Sequence, residues 1–196
     1  MRRLLFGVLV LLVTLHVEAQ HFDTEEYYGG YYLDTSGTKV YGFIRYRTNP
    51  NPRIEFRPRW EDKSKRVYPE ECNGFVLRDS IRFIRVIGSF KVKCGVGMIE
   101  VTADFVRVLD TGKVNLYMHY STSGNGSRDI PGIIYWDNLV VRKNDPAAPY
   151  IGLHPNLKKR RKALEEKLKG EDELIEILCR EKVEDVRSGL KEYNSR

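Results

Sequence analysis

The chain has 196 residues, with 33 Lys and Arg against 27 Asp and Glu, so its formal net charge is +6, and 41% of its residues are hydrophobic. This length and composition are enough for one ordinary domain with a small appendage, and the modest basic charge fits an anionic lipid, an acidic polysaccharide or an acidic protein as partner. The three cysteines form no C-x-x-C motif or Cys/His cluster, which leaves a structural zinc site and a thioredoxin-type redox site without support.

The N-terminus predicts a 19-residue secretory signal peptide. Arg2 and Arg3 precede an uncharged apolar run from Leu4 to Leu15, and the small-residue site Val17-Glu18-Ala19 comes before Gln20. The apolar run is well short of the roughly 20 residues that a helix needs to cross a bilayer. We therefore expect an exported mature chain without a transmembrane span, located in the periplasm or at the outer membrane and without contact to nucleic acid.

Residues 20–145 show the pattern of an antiparallel β protein, in which short alternating runs are separated by Gly, Pro, Asn and Asp clusters. The clearest unit is the hairpin FVRVLDTGKVNLYMHY at 105–120, where Gly112 can take the positive φ that its turn needs. In the second strand of this hairpin, apolar residues alternate with polar ones that end at His119. The alternation predicts one buried face and one polar face, with His119 on the polar face.

Residues 146–196 form a segment rich in Leu, Glu, Lys and Arg, which predicts helices. Asn156 can cap the first helix and Gly170 can end it, and two further helices would carry the apolar residues at 174–178 and at 183–193. Because these helices are short, we expect them to pack on the β region or on each other. The predicted fold class is α+β, with mainly antiparallel β sheet or barrel and a helical C-terminal tail.

Several motifs occur in a characteristic order, namely GYYLDTSGTKVYGFIRYRTNPNPRIEFRP, then VYPEECNGF, then FVRVLDTGKVNLYMHY and finally LKEYN. In this order the chain resembles a group of exported proteins of unknown function from Bacteroidota, which begin with a hairpin of the form G-Y-h-v-x-x-x-G-D-T-I-x-G-Y-I-x-Y-R-x-x-x-x-N-P-x-x-I-x-F. The positions that fit are Gly30-Tyr31, Gly37, Gly42-Phe43-Ile44, Tyr46-Arg47, Asn51-Pro52, Ile54, Phe56, Tyr68-Pro69-Glu70 and Gly74-Phe75. Gly37-Thr38-Lys39 departs from the Gly-Asp-Thr of the group. The resemblance implies a cell-envelope location and points to no active site.

The stretch EEYYGGYYL holds four tyrosines around a Gly-Gly pair. Side chains alternate along a strand, so Tyr28 and Tyr32 share one face while Tyr27 and Tyr31 share the other. The four rings therefore do not form one platform, and the favoured prediction is a strand with a structural role. The alternative is sugar stacking on the exposed face, for which Tyr28 and Tyr32 are the candidate pair.

Two cysteines and one serine are candidates for covalent modification. In an oxidising compartment Cys72 and Cys94, which lie in the same predicted β region, can form a disulfide and leave Cys179 unpaired. The alternative of three small buried thiols stays open, because spacing does not fix the distance between Cα atoms. Asp79-Ser80-Ile81 matches the Asp-Ser/Thr-apolar acceptor of O-glycosylation in exported Bacteroidota proteins, which makes Ser80 a candidate acceptor.

Positive charge gathers in two segments. Residues 41–66 contain eight Lys and Arg against three acidic residues, and alternation places Arg45 with Arg47, and Arg53 with Arg57, on strand faces that can present a cationic ladder. The first predicted helix adds a basic run of Lys158, Lys159, Arg160, Arg161 and Lys162. The alternative is that each cluster is only a solvated face. In an envelope protein, the two together predict binding to surfaces that bear phosphate or carboxylate groups.

The sequence offers few groups for catalysis. His21, His119 and His154 lie outside any Gly-x-Ser-x-Gly motif, and adjacent carboxylates such as Glu70-Glu71 do not indicate a glycosidase cleft. With no cofactor or metal motif, the sequence favours a non-enzymatic binding or interaction module whose partner is an anionic envelope lipid, a polysaccharide or an envelope protein. The alternatives are a hydrolase acting on envelope glycans or peptides and a structural subunit of an outer-membrane complex.

Overall fold

The computed structural model describes residues 26–48, 51–127 and 130–196, so the predicted signal peptide lies outside the described residues. Within these described ranges, ten strands form one antiparallel sheet and three helices follow, which confirms the predicted α+β class, and the sheet is open rather than closed. The strands are β1 (Tyr28–Asp34), β2 (Lys39–Arg47), β3 (Arg53–Arg57), β4 (Lys65–Val67), β5 (Cys72–Leu77), β6 (Ile81–Cys94), β7 (Gly97–Asp110), β8 (Val114–Ser127), β9 (Ile130–Lys143) and β10 (Ile151–Gly152). The helices are α1 (Leu157–Lys167), α2 (Asp172–Leu178) and α3 (Val183–Ser195), and a 3₁₀ turn at Pro69–Glu71 joins β4 to β5.

The order of the strands across the sheet is β10-β9-β8-β7-β6-β5-β1-β2-β3-β4. Most neighbours are consecutive hairpin strands, whereas β1 lies between β5 and β2. Tyr31 of β1 is thus directly opposite Tyr41 of β2 on one side and Val76 of β5 on the other. The edge strands β4 and β10 have only 3 and 2 residues, so they offer little backbone to which another chain could pair.

The first half of the sheet coils around an aromatic core. The rings of Tyr46, Phe75, Phe83 and Phe105 have centroids 4.4 to 5.9 Å apart, and each residue is at most 1% exposed. Tyr46 belongs to β2 and Phe105 to β7, and these strands are not neighbours in the sheet. The sheet must therefore coil to bring them together, and burial of each ring stabilises this shape by roughly 1.5–3 kcal/mol.

The long hairpin of β6 and β7 bends back over the second half of the sheet. The bend follows a bulge between Ile87 and Phe90, where the register with β7 shifts. Beyond it, β6 lies so close to β10 that a Cβ atom added to Gly152 would be 1.9 Å from the carbonyl oxygen of Lys91, so this contact requires glycine. The side chain of Asn138 on β9 accepts from the Lys93 amide at 2.7 Å and donates to its carbonyl at 3.1 Å. An apolar core fills the space under the hairpin and contains Val86, Phe90, Val92, Val101, Val106, Tyr117, Val140 and Tyr150.

The three helices pack on β8, β9 and β10 through a further apolar core, which confirms the predicted helical segment. Asn156 caps α1 by accepting a hydrogen bond from the Lys159 amide at 3.0 Å, and Gly170 follows the helix with a φ of +82°. Strand β10 lies within the segment that was predicted to be helical. No helix in the described part of the chain is long and apolar enough to span a membrane.

The side chain of Asn194 links helix α3 to the first residue of β8 by hydrogen bonds. The Oδ1 atom of Asn194 accepts from the Val114 amide at 2.9 Å, and its Nδ2 atom donates to the Val114 carbonyl at 2.9 Å. Val114 is 3% exposed, so these backbone groups have little access to water. Asn194 therefore fixes the end of the chain to the sheet. The predicted positive φ of Gly112 was wrong. Glycine is favoured in this turn by a close contact instead, because a Cβ atom added to Gly112 would be 2.3 Å from the Asn194 side chain.

Candidate functional site

The outer face of β1 to β4, opposite the aromatic core, carries mainly cationic and aromatic side chains. Alternation along each strand assigns every second residue to this face. The strand residues on it are Gly29, Tyr31, Leu33, Lys39, Tyr41, Phe43, Arg45, Arg47, Arg53, Glu55, Arg57 and Arg66, and Tyr27 and Trp60 lie beside them. Among these residues six are cationic and Glu55 is the one carboxylate, so the face is strongly positive.

The tyrosines at β1 divide between the two faces as alternation requires. The prediction that Tyr28 and Tyr32 lie on the exposed face and can stack on a sugar was wrong. Tyr28 and Tyr32 are only 8% and 6% exposed and belong to the aromatic core. The reason is the coiling of the sheet, which encloses their side of β1. The outer pair is Tyr27 and Tyr31.

Glu55 organises the arginines of the predicted cationic ladder. It accepts hydrogen bonds from Arg45, with Nε at 3.0 Å, and from Arg53 at 3.3 Å, and Arg47 lies 3.6 Å away. Burial by itself would raise the pKa of Glu55, but the hydrogen bond from Arg45 and the charges of Arg45, Arg47 and Arg53 lower it below its ordinary value. Three members of the ladder therefore surround one ionised carboxylate, and the cluster keeps a net positive charge.

Two guanidinium groups stack on the ring of Tyr27. Arg45 and Arg57 stack over its ring at 4.5 and 4.3 Å from the centroid. Arg57 also donates to the carbonyl of Trp60 at 3.2 Å, and the Trp60 ring, in a residue that is 54% exposed, meets Phe43 edge-on at 5.3 Å. These contacts hold the arginine side chains in fixed positions against aromatic surface.

A second group of rings lies at the other side of Gly29. Tyr31 and Tyr41 have centroids 5.3 Å apart, Lys39 stacks over Tyr31 at 4.6 Å, and Tyr41 is 65% exposed. A Cβ atom added to Gly29 would meet nothing within 4 Å, so the surface between Tyr27 and Tyr31 is open. We call Tyr31 and Tyr41 the tyrosine platform.

A shallow cavity of about 480 Å³ lies on the same side of the sheet, over β6, β7 and β8. Its lining contains no carboxylate and consists of Arg82, Ile84, Val108, Thr111, Gly112, Asn115, Tyr117 and Asn144. Burial, followed by the neighbouring Tyr150, raises the pKa of Tyr117 to about 12, so its hydroxyl stays protonated at neutral pH. The cavity therefore presents hydroxyl and amide groups beside one guanidinium group. The sequence does not indicate this cavity, because its residues come from β6, β7, β8 and the segments that follow β7 and β9.

The basic run of helix α1 is used in part for packing. Arg160 is only 8% exposed and donates to the carbonyls of His154, Leu178 and Arg180 at 2.7 to 3.2 Å. Arg161 forms a bidentate pair with Glu176 at 2.6 and 3.0 Å. The exposed remainder of the predicted cluster is Lys158, Lys159 and Lys162.

The prediction that His119 lies on a polar face was wrong. His119 is 0% exposed because the bent β6–β7 hairpin covers that side of β8, and its ring packs edge-on against Phe90 at 5.4 Å. Its Nε2 atom is 2.8 Å from Asp104, which also accepts a hydrogen bond from the Tyr46 hydroxyl at 2.7 Å. All three side chains are fully buried and none lines the cavity, so this Tyr–Asp–His network has no visible access to a substrate.

The cysteines are free thiols, so the predicted Cys72–Cys94 disulfide is not formed. Strand β5 pairs with β6 only as far as Gly74 opposite Ile84, and Cys94 is ten residues further along β6. Burial raises the pKa of Cys72 to about 11. Ser80 is exposed in the β5–β6 turn, a position that an enzyme can reach, and its modification stays a prediction.

Within the described ranges, no group of three or more His, Cys, Asp or Glu side chains is placed to hold a metal ion. Comparison of the chain with protein-family models, with curated proteins and with solved structures found no match. The geometry of the outer face and of the cavity is therefore the basis for a functional proposal.

Proposed function

We propose that this protein is a non-enzymatic binding module of the bacterial cell envelope that recognises an anionic ligand through the outer face of β1 to β4. The observation that carries the proposal is the composition of this face, where six cationic strand residues and one carboxylate lie among exposed aromatic rings. A large positive surface attracts anions, and arginine binds carboxylate or phosphate groups in a bidentate manner. Exposed aromatic residues such as Tyr41 and Trp60 add apolar contact area that a purely solvated face would lack.

The proposal includes export to the envelope of a Bacteroidota cell. It rests on the sequence of the first 19 residues, which has the charge and hydropathy pattern of a signal peptide, and on the resemblance of the N-terminal hairpin motif to exported proteins of that phylum. In such an envelope the available anions are lipid headgroups and acidic polysaccharides. An envelope protein with an acidic surface is the other partner that this face fits.

A hydrolase receives less support from the geometry. The Asp104–His119 pair has the hydrogen-bonded arrangement of an acid–base pair, at 2.8 Å, but both residues are 0% exposed. A general base must come within hydrogen-bond reach of its substrate. The packing of His119 against Phe90 fits a structural role better.

The proposal is tested by comparing two charge variants of the mature protein. In the first, Arg57→Gln and Arg66→Gln remove two charges from the outer face, and in the matched control, Lys158→Gln and Lys159→Gln remove two charges from α1. Binding is measured by co-sedimentation with anionic vesicles and with an immobilised acidic polysaccharide, at low and at high salt. We expect the outer-face variant to bind about 5-fold more weakly for each charge that contacts the ligand, and the α1 variant to bind like the wild type.

Salt provides a second criterion, since contacts between exposed charges are screened within about 10 Å at 0.1 M ionic strength. We expect binding to fall steeply with salt. Equal losses of affinity in both variants would show that net charge rather than this face drives binding. Binding that does not change with salt would contradict the proposal.

A further inference from the structure

The tyrosine platform and the Arg82 cavity belong to one continuous row of residues across the sheet. Tyr41 of β2 is directly opposite Tyr31 of β1, Tyr31 is opposite Val76 of β5, and Val76 is opposite Arg82 of β6. Residues directly opposite one another in antiparallel strands have side chains on the same face. The four residues are therefore neighbours on one face, and we call them the cross-strand row.

The length of the row follows from the spacing of strands. Neighbouring strands lie about 4.8 Å apart, so the three steps from Tyr41 to Arg82 cover about 14 Å. Arg82 also lines the cavity, in which Val108 is opposite Tyr117 on the next two strands. The row thus leads from exposed aromatic rings at one end to a polar cavity at the other.

The two ends of the row offer complementary groups. At the platform, the tilted rings of Tyr31 and Tyr41 present apolar surface with polar hydroxyls at the rim. In the cavity, Arg82 makes no ion pair or hydrogen bond with any residue that the structure describes, so its guanidinium group is available to an anion. Asn115, Asn144 and Thr111 surround it with amide and hydroxyl groups.

We propose that the cross-strand row binds an acidic oligosaccharide, with a sugar ring on the tyrosine platform and a sugar carboxylate at Arg82 in the cavity. This inference rests on the proposed function and names its ligand class. A sugar presents an apolar ring face and many hydroxyl groups, which match the aromatic platform and the amide-lined cavity. A carboxylate supplies the two acceptors that one guanidinium group binds in a bidentate manner.

Peptides and lipids fit the row less well. An extended peptide binds a sheet by pairing with backbone groups at an edge strand, whereas the row crosses β2, β1, β5 and β6, each of which has a partner on both sides. A lipid surface favours side chains that enter the acyl region, and Val76 is the only aliphatic member of the row. The ligand that uses all four residues is a hydroxyl-rich chain with a negative charge.

The test uses the mature full-length chain and three probes of similar size and different chemistry. These are a galacturonic acid trisaccharide, its uncharged methyl ester and a triglutamate peptide, and binding is measured by titration calorimetry. Arg82→Gln and Tyr41→Ala remove the two ends of the row, and Lys158→Gln is the matched control, because it removes one exposed positive charge from α1, away from the row and from the outer face. All three residues are exposed, and thermal unfolding checks that the variants keep their fold.

We expect the trisaccharide to bind the wild type, the methyl ester to bind at least about tenfold more weakly, and Arg82→Gln and Tyr41→Ala each to reduce trisaccharide affinity by about tenfold or more. Lys158→Gln should stay within about twofold of the wild type. Equal binding of the methyl ester, tighter binding of the peptide, or unchanged affinity in Arg82→Gln and Tyr41→Ala would overturn the inference. If only the Arg57→Gln and Arg66→Gln double variant loses affinity, the proposed function stands and the ligand binds away from the row.

Discussion

The buried hydroxyl of Tyr46 should stabilise the protein through its hydrogen bond to Asp104. The perturbation is Tyr46→Phe, which removes one hydroxyl oxygen and keeps the ring that packs against Phe75 and Phe105. In the wild type this hydroxyl donates to Asp104 at 2.7 Å and lies 3.3 Å from the Phe105 carbonyl oxygen. The variant therefore isolates a hydrogen bond from the aromatic packing around it.

The expected loss follows from the charge and the burial of the acceptor. A hydrogen bond to a charged group contributes about 1.5–3 kcal/mol, and Asp104 is 0% exposed, so no water can replace the missing donor. Asp104 keeps its contact with His119 and a 2.7 Å hydrogen bond from the Phe105 amide, which limits the damage. We expect the free energy of unfolding to fall by about 2 kcal/mol, which corresponds to a Tm lower by about 4–8 °C for a chain of this size.

The assay is urea unfolding followed by tyrosine fluorescence and far-ultraviolet circular dichroism, with calorimetry for the Tm. The denaturant slope should not change, since the surface exposed on unfolding is the same in both proteins. A loss below about 0.5 kcal/mol would show that this hydrogen bond does not stabilise the fold, because a change that small is typical of a surface substitution.

The stability difference between Tyr46→Phe and the wild type should depend on pH. Burial, followed by the charge of Asp104 and their hydrogen bond, raises the pKa of Tyr46 well above its ordinary 10.0. In the unfolded chain the hydroxyl ionises near that ordinary value, so its contribution to stability is fully present below about pH 10 and is lost as the pH rises further. Tyr46→Phe lacks this contribution, and the stability gap between the two proteins should narrow above about pH 10. A gap that stays constant through that range would contradict the placement of the hydroxyl beside Asp104.

Two further substitutions test the junction of α3 with the sheet and the β5–β6 turn. Asn194→Ala should destabilise the protein by about 2 kcal/mol, because it leaves the buried amide and carbonyl of Val114 without their partner. Urea unfolding measures the loss. The control Ser195→Ala removes only an exposed hydroxyl bonded to the preceding turn and should be neutral. Asp79→Gly should stabilise by about 0.5–1 kcal/mol, because Asp79 has a φ of +56° in a turn that favours glycine. Asp79→Asn is the control for loss of the charge, since asparagine adopts this left-handed conformation at least as readily as aspartate and should change stability less than glycine does. A destabilised glycine variant would show that the turn is not strained.

Local sequence patterns were enough to predict the individual strands, turns and caps named below. Alternation and turn residues predicted the hairpin around Gly112, the Asn156 cap and the end of the first helix near Gly170, and all three are observed. These features depend on residues that are close in sequence, so local hydrogen bonding and backbone conformation are enough to specify them. The division of the four tyrosines between two faces of β1 was correct for the same reason.

Which strand faces are buried depends on long-range packing that local patterns do not contain. Alternation cannot tell which side of β1 lies inside, and the coiling of the sheet, which brings Tyr46 to Phe105, buries Tyr28 and Tyr32. The bend of the β6–β7 hairpin covers a second face of β8 and encloses His119, a contact between residues that are far apart in sequence.

The candidate site depends on the same long-range contacts. The charge count predicted cationic strands, but the order β6-β5-β1-β2 places Arg82 on one row with Tyr31 and Tyr41. Because β1 inserts between strands that follow it in the chain, this row joins residues that no local pattern connects. Composition therefore predicted anion binding, which stays a proposal, and strand order determined where the cationic and aromatic groups meet.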